Sequence, residues 1–496
     1  MRTRLVDEMA FDSHKDGELA SPHQSQTTLF FVFWTAAVLS DRFVRQVNES
    51  WLSMAWVVLG LWFLFRPRST YRFAAFSIAH LTWYASNYLD GSMIHWTIAA
   101  IVHLIYILSF VAHVFRTRQL PKLNSDLRPS LLPLGRWTFF VAVFAAGFAK
   151  LNRGFLDPDL SCASVIYAYQ RTVPGFGFLL PDAAWGHTFA IWLTVVCELA
   201  APVLLIFSRT RKFGAALALG FFFLVGINPI NKLYEFAGLF VALSMWFTPP
   251  AAIHNYLRTT NRFLRTIKFE HFGSPRSSIY IRRSSQTAIA LLLVLLVFAD
   301  EAPYLRWRHY TCRIIWVAGM VGAVCPIVIS WLRAPSTRDS LQSFVPRDRW
   351  ILVVPLLFIA NETTPYLGLK HSPTMTMAGN LNITSEHSNH IIVQDVPNFG
   401  FGREVKIVSS SDKRLRRGRY MVSLAFFDYL SNNPETDIRF IIDGEEEHLP
   451  RAGDDPRVQA GSSLLPELMH LGVHRISTGP RRCNHRMPHP KKSRNQ

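Results

Sequence analysis

The chain has 496 residues, half of them hydrophobic and 13% aromatic, yet its formal charge is +18. Only 17% of its residues are charged, against about 25% in ordinary soluble domains. The apolar residues fall in long runs rather than amphipathic stripes, which excludes a soluble globular enzyme and indicates a polytopic membrane protein. The Lys and Arg excess sits in short segments between these runs and not along one helix, so no nucleic-acid partner is expected.

Residues 1–26 are polar and lack the apolar core of a cleavable signal peptide, so the first membrane helix is expected to direct insertion. A bilayer core takes about 20 apolar residues per helix. About eleven such segments fill a transmembrane domain over 27–366, starting near Thr28, Trp51, Phe73, Ile94, Leu134, Gly186, Gly214, Tyr234, Thr287, Ile314 and Trp350. Alternate loops are basic: Arg66/Arg68/Arg72, Arg116/Arg118/Lys122/Arg128, Arg209/Arg211/Lys212, Arg258 through Arg283, and Arg333/Arg338/Arg347/Arg349. Because short basic loops stay on the cytoplasmic side, the N-terminus is expected inside and everything after Tyr366 on the exported side. The loops around Lys150 to Trp185 and Arg306 to Arg313 carry a few basic residues and fit this rule less well.

The segment 367–480 is expected to form a small mixed α+β extramembrane region. SLAFFDYLSNN reads as a short amphipathic helix, and DIRFIIDGEEEHLP reads as a strand ending in an Asp443-Gly444 turn. Residues 481–496 read as a disordered basic tail. Five cysteines, Cys162, Cys197, Cys312, Cys325 and Cys483, include no C-x-x-C pair, so a zinc ribbon, a thioredoxin-type motif and a disulfide framework find no support, and the redox compartment stays open. Cys483 with His485 and His489 makes a poor metal motif, and no metal site is expected.

Ionisable side chains within membrane spans are candidates for function, because burying charge in hydrocarbon is costly unless something compensates it. They are His80, His95, His103, His113, Lys150, Glu198, Glu235, Asp300, Glu301 and Glu362. Most lie near predicted helix ends, where snorkelling or capping is the alternative role. Lys150 closes the apolar run RWTFFVAVFAAGFAK; a lysine desolvated there gives up its proton more readily and can act as a general base. Glu198 lies mid-span ahead of Pro202, which opens the local helix hydrogen bonding. It is expected to be protonated or paired, orienting Lys150 or a histidine or bonding a neighbouring helix. His95 and His103, eight residues apart, share roughly one helix face.

The run AAGFAKLNRGFLDPDL, followed some fifty residues later by E-x-x-x-P-x-L-L-I-F-x-R-T-R-x-x-G, resembles the horizontally transferred transmembrane (HTTM) domain family, which includes vitamin K-dependent gamma-carboxylase. The resemblance covers about Thr28 to Asn389. It implies that Lys150 occupies the position of the base that deprotonates reduced vitamin K. His95, in GSMIHWTIAAIVH, is the best match to a second family histidine, although the two asparagines that precede that histidine are missing here. Where the family commonly has a Phe-His pair, this chain reads GFFFLVGIN, with Phe222 in place of the histidine. The resemblance further implies reduced vitamin K or a related quinone as cofactor and a secreted or exported polypeptide as partner, with Lys150, His95 and Glu198 as catalytic residues. Two other classes of function are open to such a chain: a non-catalytic membrane scaffold or binding protein whose exported tail recognises a partner protein, and a transporter, for which Glu198 is the one fair candidate near the bilayer midplane.

Overall fold

The computed structural model describes residues 21–44, 51–87, 94–173, 176–228, 233–269, 314–333, 344–460 and 483, except 368, 370–373, 377, 384–387, 396–402, 414, 416 and 419. The main helices are α1 (Pro22–Val44), α2 (Trp51–Phe65), α3 (Thr70–Asn87), α4 (Ile94–Thr117), α5 (Arg128–Ala149), α6 (Cys162–Gln170), α7 (Ala184–Ile206), α8 (Arg211–Ile227), α9 (Tyr234–Ser244), α10 (Pro250–Phe269), α11 (Cys325–Arg333) and α12 (Val353–Thr363). Among the described residues, five helical stretches are long and apolar enough to cross a membrane: Ile94–Thr117, Asn124–Ala149, Ala184–Ile206, Ile314–Leu332 and Arg349–Leu367. Trp51–Phe65 and Tyr234–Ser244 are apolar but shorter. The span expected from Thr287, together with Asp300 and Glu301, lies outside the described residues.

Helices begin at Trp51, Ile94 and Tyr234 as the sequence indicates, whereas α5 starts six residues before Leu134 and runs through Pro133. A proline there cannot donate to the carbonyl four residues back. The orphaned acceptor, Pro129 O, instead takes the Arg347 backbone N–H at 3.3 Å. The stretch read as a basic loop from Arg258 is helical as far as Phe269, because Ala252 and Ile253 give α10 an apolar side that the bundle buries.

The bundle interior explains the aromatic content. Phe30, Phe31, Trp34, Phe73 and Tyr106 form an aromatic cluster of edge-to-face, stacked and tilted pairs with ring centroids 4.3 to 5.7 Å apart. Such pairs contribute about 0.5–1.5 kcal/mol each beyond the area they bury. Helix α5 packs against α4, α7 and α9, and α7 packs against α6 and α8. At Gly135 a Cβ would lie 2.6 Å from the Trp246 indole, so only glycine admits that ring between α5 and the end of α9. There the Arg136 Nε donates to Trp246 O (3.0 Å), and the Gln26 amide donates to Met245 O and Thr248 O. Carbonyls left over at the C-terminal end of α9 are thereby satisfied by side chains from α5 and α1.

The tail folds around its own core. Four antiparallel strands, β1 (Glu404–Ser410), β2 (Tyr420–Val422), β3 (Ile438–Ile442) and β4 (Glu445–Leu449), lie in the order β2-β1-β3-β4. Alternate residues Val405, Ile407, Ile438 and Phe440 point into a cluster with Phe426 and Leu430 of α13 (Ser423–Ser431). The Asp443-Gly444 turn is present, with positive φ at both residues (53° and 87°), as a two-residue hairpin turn needs. The polar stretch after it is not a loop but strand β4, paired with β3 from Ile442↔Glu445 to Ile438↔Leu449.

Candidate functional site

The C-terminal end of α5 meets the middle of α7. Lys150 is the residue that ends α5, its N–H bonded to Gly147 O at 3.1 Å. Its Nζ donates to Glu198 Oε2 at 2.6 Å and to Ala146 O at 3.2 Å, and lies 5.8 Å from the centre of the Phe155 ring. Both members of the ion pair are buried. Two local sequence features make the contact. A Cβ on Gly147 would lie 2.9 Å from the Glu198 carbonyl carbon and Cβ, so the glycine sets the separation of the helices. Pro202, inside α7, lacks the N–H that would engage the Glu198 carbonyl in a regular helix.

A strap from the tail, Thr374 to Val393, covers this end of α5 through asparagine side chains. Asn152 caps the helical turn Arg153–Leu156 by accepting the Phe155 N–H (2.8 Å), and its amide donates to Ala149 O (2.8 Å) and Gly379 O (2.5 Å). Asn389 donates to Asn152 Oδ1 (3.2 Å) and Asn380 O (2.8 Å). Asn380 accepts the Cys162 N–H (2.9 Å) and donates to Leu160 O (2.9 Å). The His390 Nδ1 accepts the backbone N–H groups of Ile392 (3.2 Å) and Val393 (3.0 Å), so Nε2 carries the proton and donates to Phe148 O (2.9 Å). Burial holds this imidazole below its usual range of protonation. Glu362 anchors the start of the strap, its Oε2 accepting the Met375 N–H at 2.6 Å.

Cys162 and Cys483 are joined in a disulfide, with Cα atoms 4.8 Å apart and a sequence separation of 321. The cysteine spacing gave no support for a disulfide framework, and the fold supplies this one link. Spacing rules detect local pairs, and this pair is made by the fold alone. The link occupies Cys483, the one described member of the Cys483/His485/His489 group. It lies in an apolar cluster with Phe155, Ile191 and Val195, against which Leu151 and Leu199 pack. The disulfide therefore belongs to the wall around the Lys150–Glu198 pair.

His95 does not join that pair. It faces Glu235 at the start of α9, with Nε2 3.2 Å from Oε2, both residues buried. Helices α5 and α9 run antiparallel, since Gly135 meets Trp246 while Phe139 meets Phe240. Glu235 precedes Phe240, so the His95–Glu235 pair lies towards the same end of the bundle as Lys150. His103 is fixed elsewhere: Trp34 Nε1 donates to its Nε2 (3.4 Å), leaving Nδ1 to donate to Ser77 Oγ (2.8 Å). His80 lies against His103, ring centroids 4.7 Å apart, and against Trp56. His113 is half-buried on α4. Phe222 stacks on Phe240 at 4.6 Å and 7°, filling with an aromatic ring the place the resemblance gives to an imidazole.

No family model, curated protein or solved structure matches the chain.

Sequence reasoning singled out Lys150 and Glu198 but missed Asn152, Asn380, Asn389, His390 and the disulfide. The available signal was the asparagine-rich AGNLNITSEHSNH, whose amides can tie irregular backbone together. Among the described residues, no three His, Cys, Asp or Glu side chains are grouped to hold a metal. Chemically, the Lys150–Glu198 pair can exist as ammonium and carboxylate, or as amine and carboxylic acid after one proton moves across the 2.6 Å contact. The second form offers a lone pair to an acidic hydroxyl in a water-poor setting.

Proposed function

We propose that the chain is an HTTM-like multi-pass membrane protein of about eleven spans that acts on a lipid-soluble quinol of the vitamin K class, with Lys150 as the base. The observation that carries this reading is the buried Lys150–Glu198 contact at the end of the AAGFAK helix. Its donor set suits a weakly acidic hydroxyl: passing one ammonium proton to Glu198 frees the amine without leaving net charge in the protein interior. When bound, a reduced quinone supplies the electrons for reaction with oxygen. Glu198 holds the displaced proton, and Phe155, Leu151 and Leu199 exclude water. His95 with Glu235 provides a second acid–base couple towards the same end of the bundle.

The orientation of this reading places the N-terminus in the cytoplasm and the tail on the exported side. It draws support from the alternating basic loops and from the Cys162–Cys483 disulfide, which persists in oxidising compartments. An exported polypeptide is then the natural partner for the tail.

The test uses protein in lipid nanodiscs with a reduced naphthoquinone and oxygen, following epoxide by mass spectrometry for the native chain and for Lys150→Ala. Epoxide made by the native chain and lost in the variant is the expected result. Equal background in both would remove the catalytic role of Lys150 on this substrate. It would favour the second reading, a membrane scaffold whose exported tail recognises a partner protein. Two observations favour that alternative: His95 pairs with Glu235 rather than with Lys150, and the asparagine-tied strap closes over the Lys150 end.

A further inference from the structure

The connection between α6 and α7 inverts the usual surface loop. Its polar groups are tied to the loop itself: Arg171 Nε donates to Leu180 O (2.8 Å), Arg171 Nη1 lies 2.7 Å from Asp182 Oδ1, and the Tyr167 hydroxyl donates to Pro181 O (2.8 Å). A helical turn, Phe176–Leu179, is closed by Phe176 N–H to Val173 O (3.0 Å) and Leu180 N–H to Phe176 O (2.8 Å). What this ordered turn presents outward is apolar. Phe178 is 94% exposed and Leu179 67%, and from Val173 to Pro181 the sequence VPGFGFLLP holds no charge.

The exposed patch continues along α7. Trp185 is 63% exposed, followed by Phe189, Trp192, Val196 and Val203. Steps of four, three, four and seven residues keep these on one face of a 3.6-residue helix. Helix α7 is long and apolar enough to span a bilayer, and such a face meets acyl chains. Ile191, Val195 and Glu198 occupy its buried side. Tryptophan at a span's first turn is the usual residue of the membrane–water boundary.

We propose that the Phe176–Leu179 turn is a membrane-inserted wedge, with Phe178 and Leu179 entering the leaflet that meets the N-terminus of α7. The occupant of this surface is lipid, because the turn from Val173 to Pro181 carries no charge and the chain runs from it within a few residues into the lipid-facing stripe, while the Arg171–Asp182 ion pair at the junction suits the headgroup level. The wedge fixes the α6–α7 hairpin, which carries Cys162 and Glu198, to the membrane boundary. The inference rests on the multi-pass membrane reading and on nothing about the quinol chemistry.

The test replaces Cys197, Cys312 and Cys325 by Ser, leaves the Cys162–Cys483 link intact, and attaches an environment-sensitive fluorophore in nanodiscs to Phe178→Cys, Val196→Cys or Glu446→Cys. Each labelled variant is first checked for the disulfide and for an unchanged unfolding midpoint. The expected result is loss of Phe178→Cys emission with nitroxide-labelled phospholipid and little loss with aqueous iodide, the Glu446→Cys control on β4 showing the reverse. Emission at 178 quenched by iodide, while Val196→Cys responds to the nitroxide lipid, would overturn the wedge alone. Shielding at 178 that disappears when each nanodisc holds one protein would assign the surface to a second copy and also overturn it. Failure of the nitroxide lipid to quench Val196→Cys as well would remove the membrane reading of α7 and the wedge with it.

Discussion

Removing Glu198 leaves the Lys150 ammonium without a counter-ion, and the structure sets the size of the effect. At the 2.6 Å separation, Coulomb attraction with an effective dielectric constant of about 20 is roughly 6 kcal/mol. Desolvating each ion costs several kcal/mol, so the intact pair contributes little net stability, whereas breaking it by deleting one partner costs about 3–5 kcal/mol. Glu198→Leu and Lys150→Met should therefore each destabilise the protein by that amount, while the double variant, which removes both charges, should recover most of the loss. Denaturant-detergent titration in lipid–detergent micelles, followed by tryptophan fluorescence, measures all four corners of the cycle. Gly147→Ala offers an independent check. Its methyl would sit 2.9 Å from the Glu198 carbonyl carbon, and forcing the helices apart should cost about 1–3 kcal/mol. The reasoning fails if the double variant is as unstable as the sum of the single ones. It also fails if Glu198→Leu costs no more than a lipid-face control such as Val196→Ala.

Two further outcomes follow from the tail. Cleavage after the exposed glutamates of β4 should leave the C-terminal peptide attached to the membrane domain until a thiol reductant is added, and Cys162→Ser should release it directly and cost about 2–5 kcal/mol. Release without reductant on a non-reducing gel would refute the Cys162–Cys483 link. For His390 the folded imidazole is harder to protonate than the ordinary value of 6.5 because it is buried. Its neutral form is therefore favoured by folding, so its contribution is complete above pH 6.5 and is lost as pH falls below that towards the folded value. Protease susceptibility of the strap should rise on acidification through this window, and a profile that is flat, or unchanged in His390→Gln, would contradict the bonding assigned to Nδ1.

The long apolar helices and the pairing of Lys150 with Glu198 were legible in the sequence because each is a local contrast. A long apolar run, or a charge inside one, differs from its neighbours whatever the fold. Helix starts were less legible: Ser25, Gln26 and Thr27 argue against burial, yet the fold buries them because partners such as the Met245 and Thr248 carbonyls await the Gln26 amide. Pro133 likewise reads as a helix boundary until Arg347 is seen to serve the acceptor it abandons. The partner of His95 was illegible for a different reason. Glu235 lies 140 residues on, and only the antiparallel packing of α9 brings it within 3.2 Å. The β4 strand was obscured by composition, since a Glu-rich stretch has low strand propensity and is held by its pairing with β3.

The separation of the disulfide partners also sets a schedule for biosynthesis. With a sequence separation of 321 and chains growing at about 5–20 residues per second, Cys162 is made roughly 15–60 s before Cys483. During that interval it waits for its partner in a chain that gains Cys197, Cys312 and Cys325 in turn. Every described helix after α6, and the described tail sheet, is made before the correct partner exists. Closing the ring therefore waits for the synthesis of the tail sheet, and the linked form reports that the tail has reached the α5 end of the bundle.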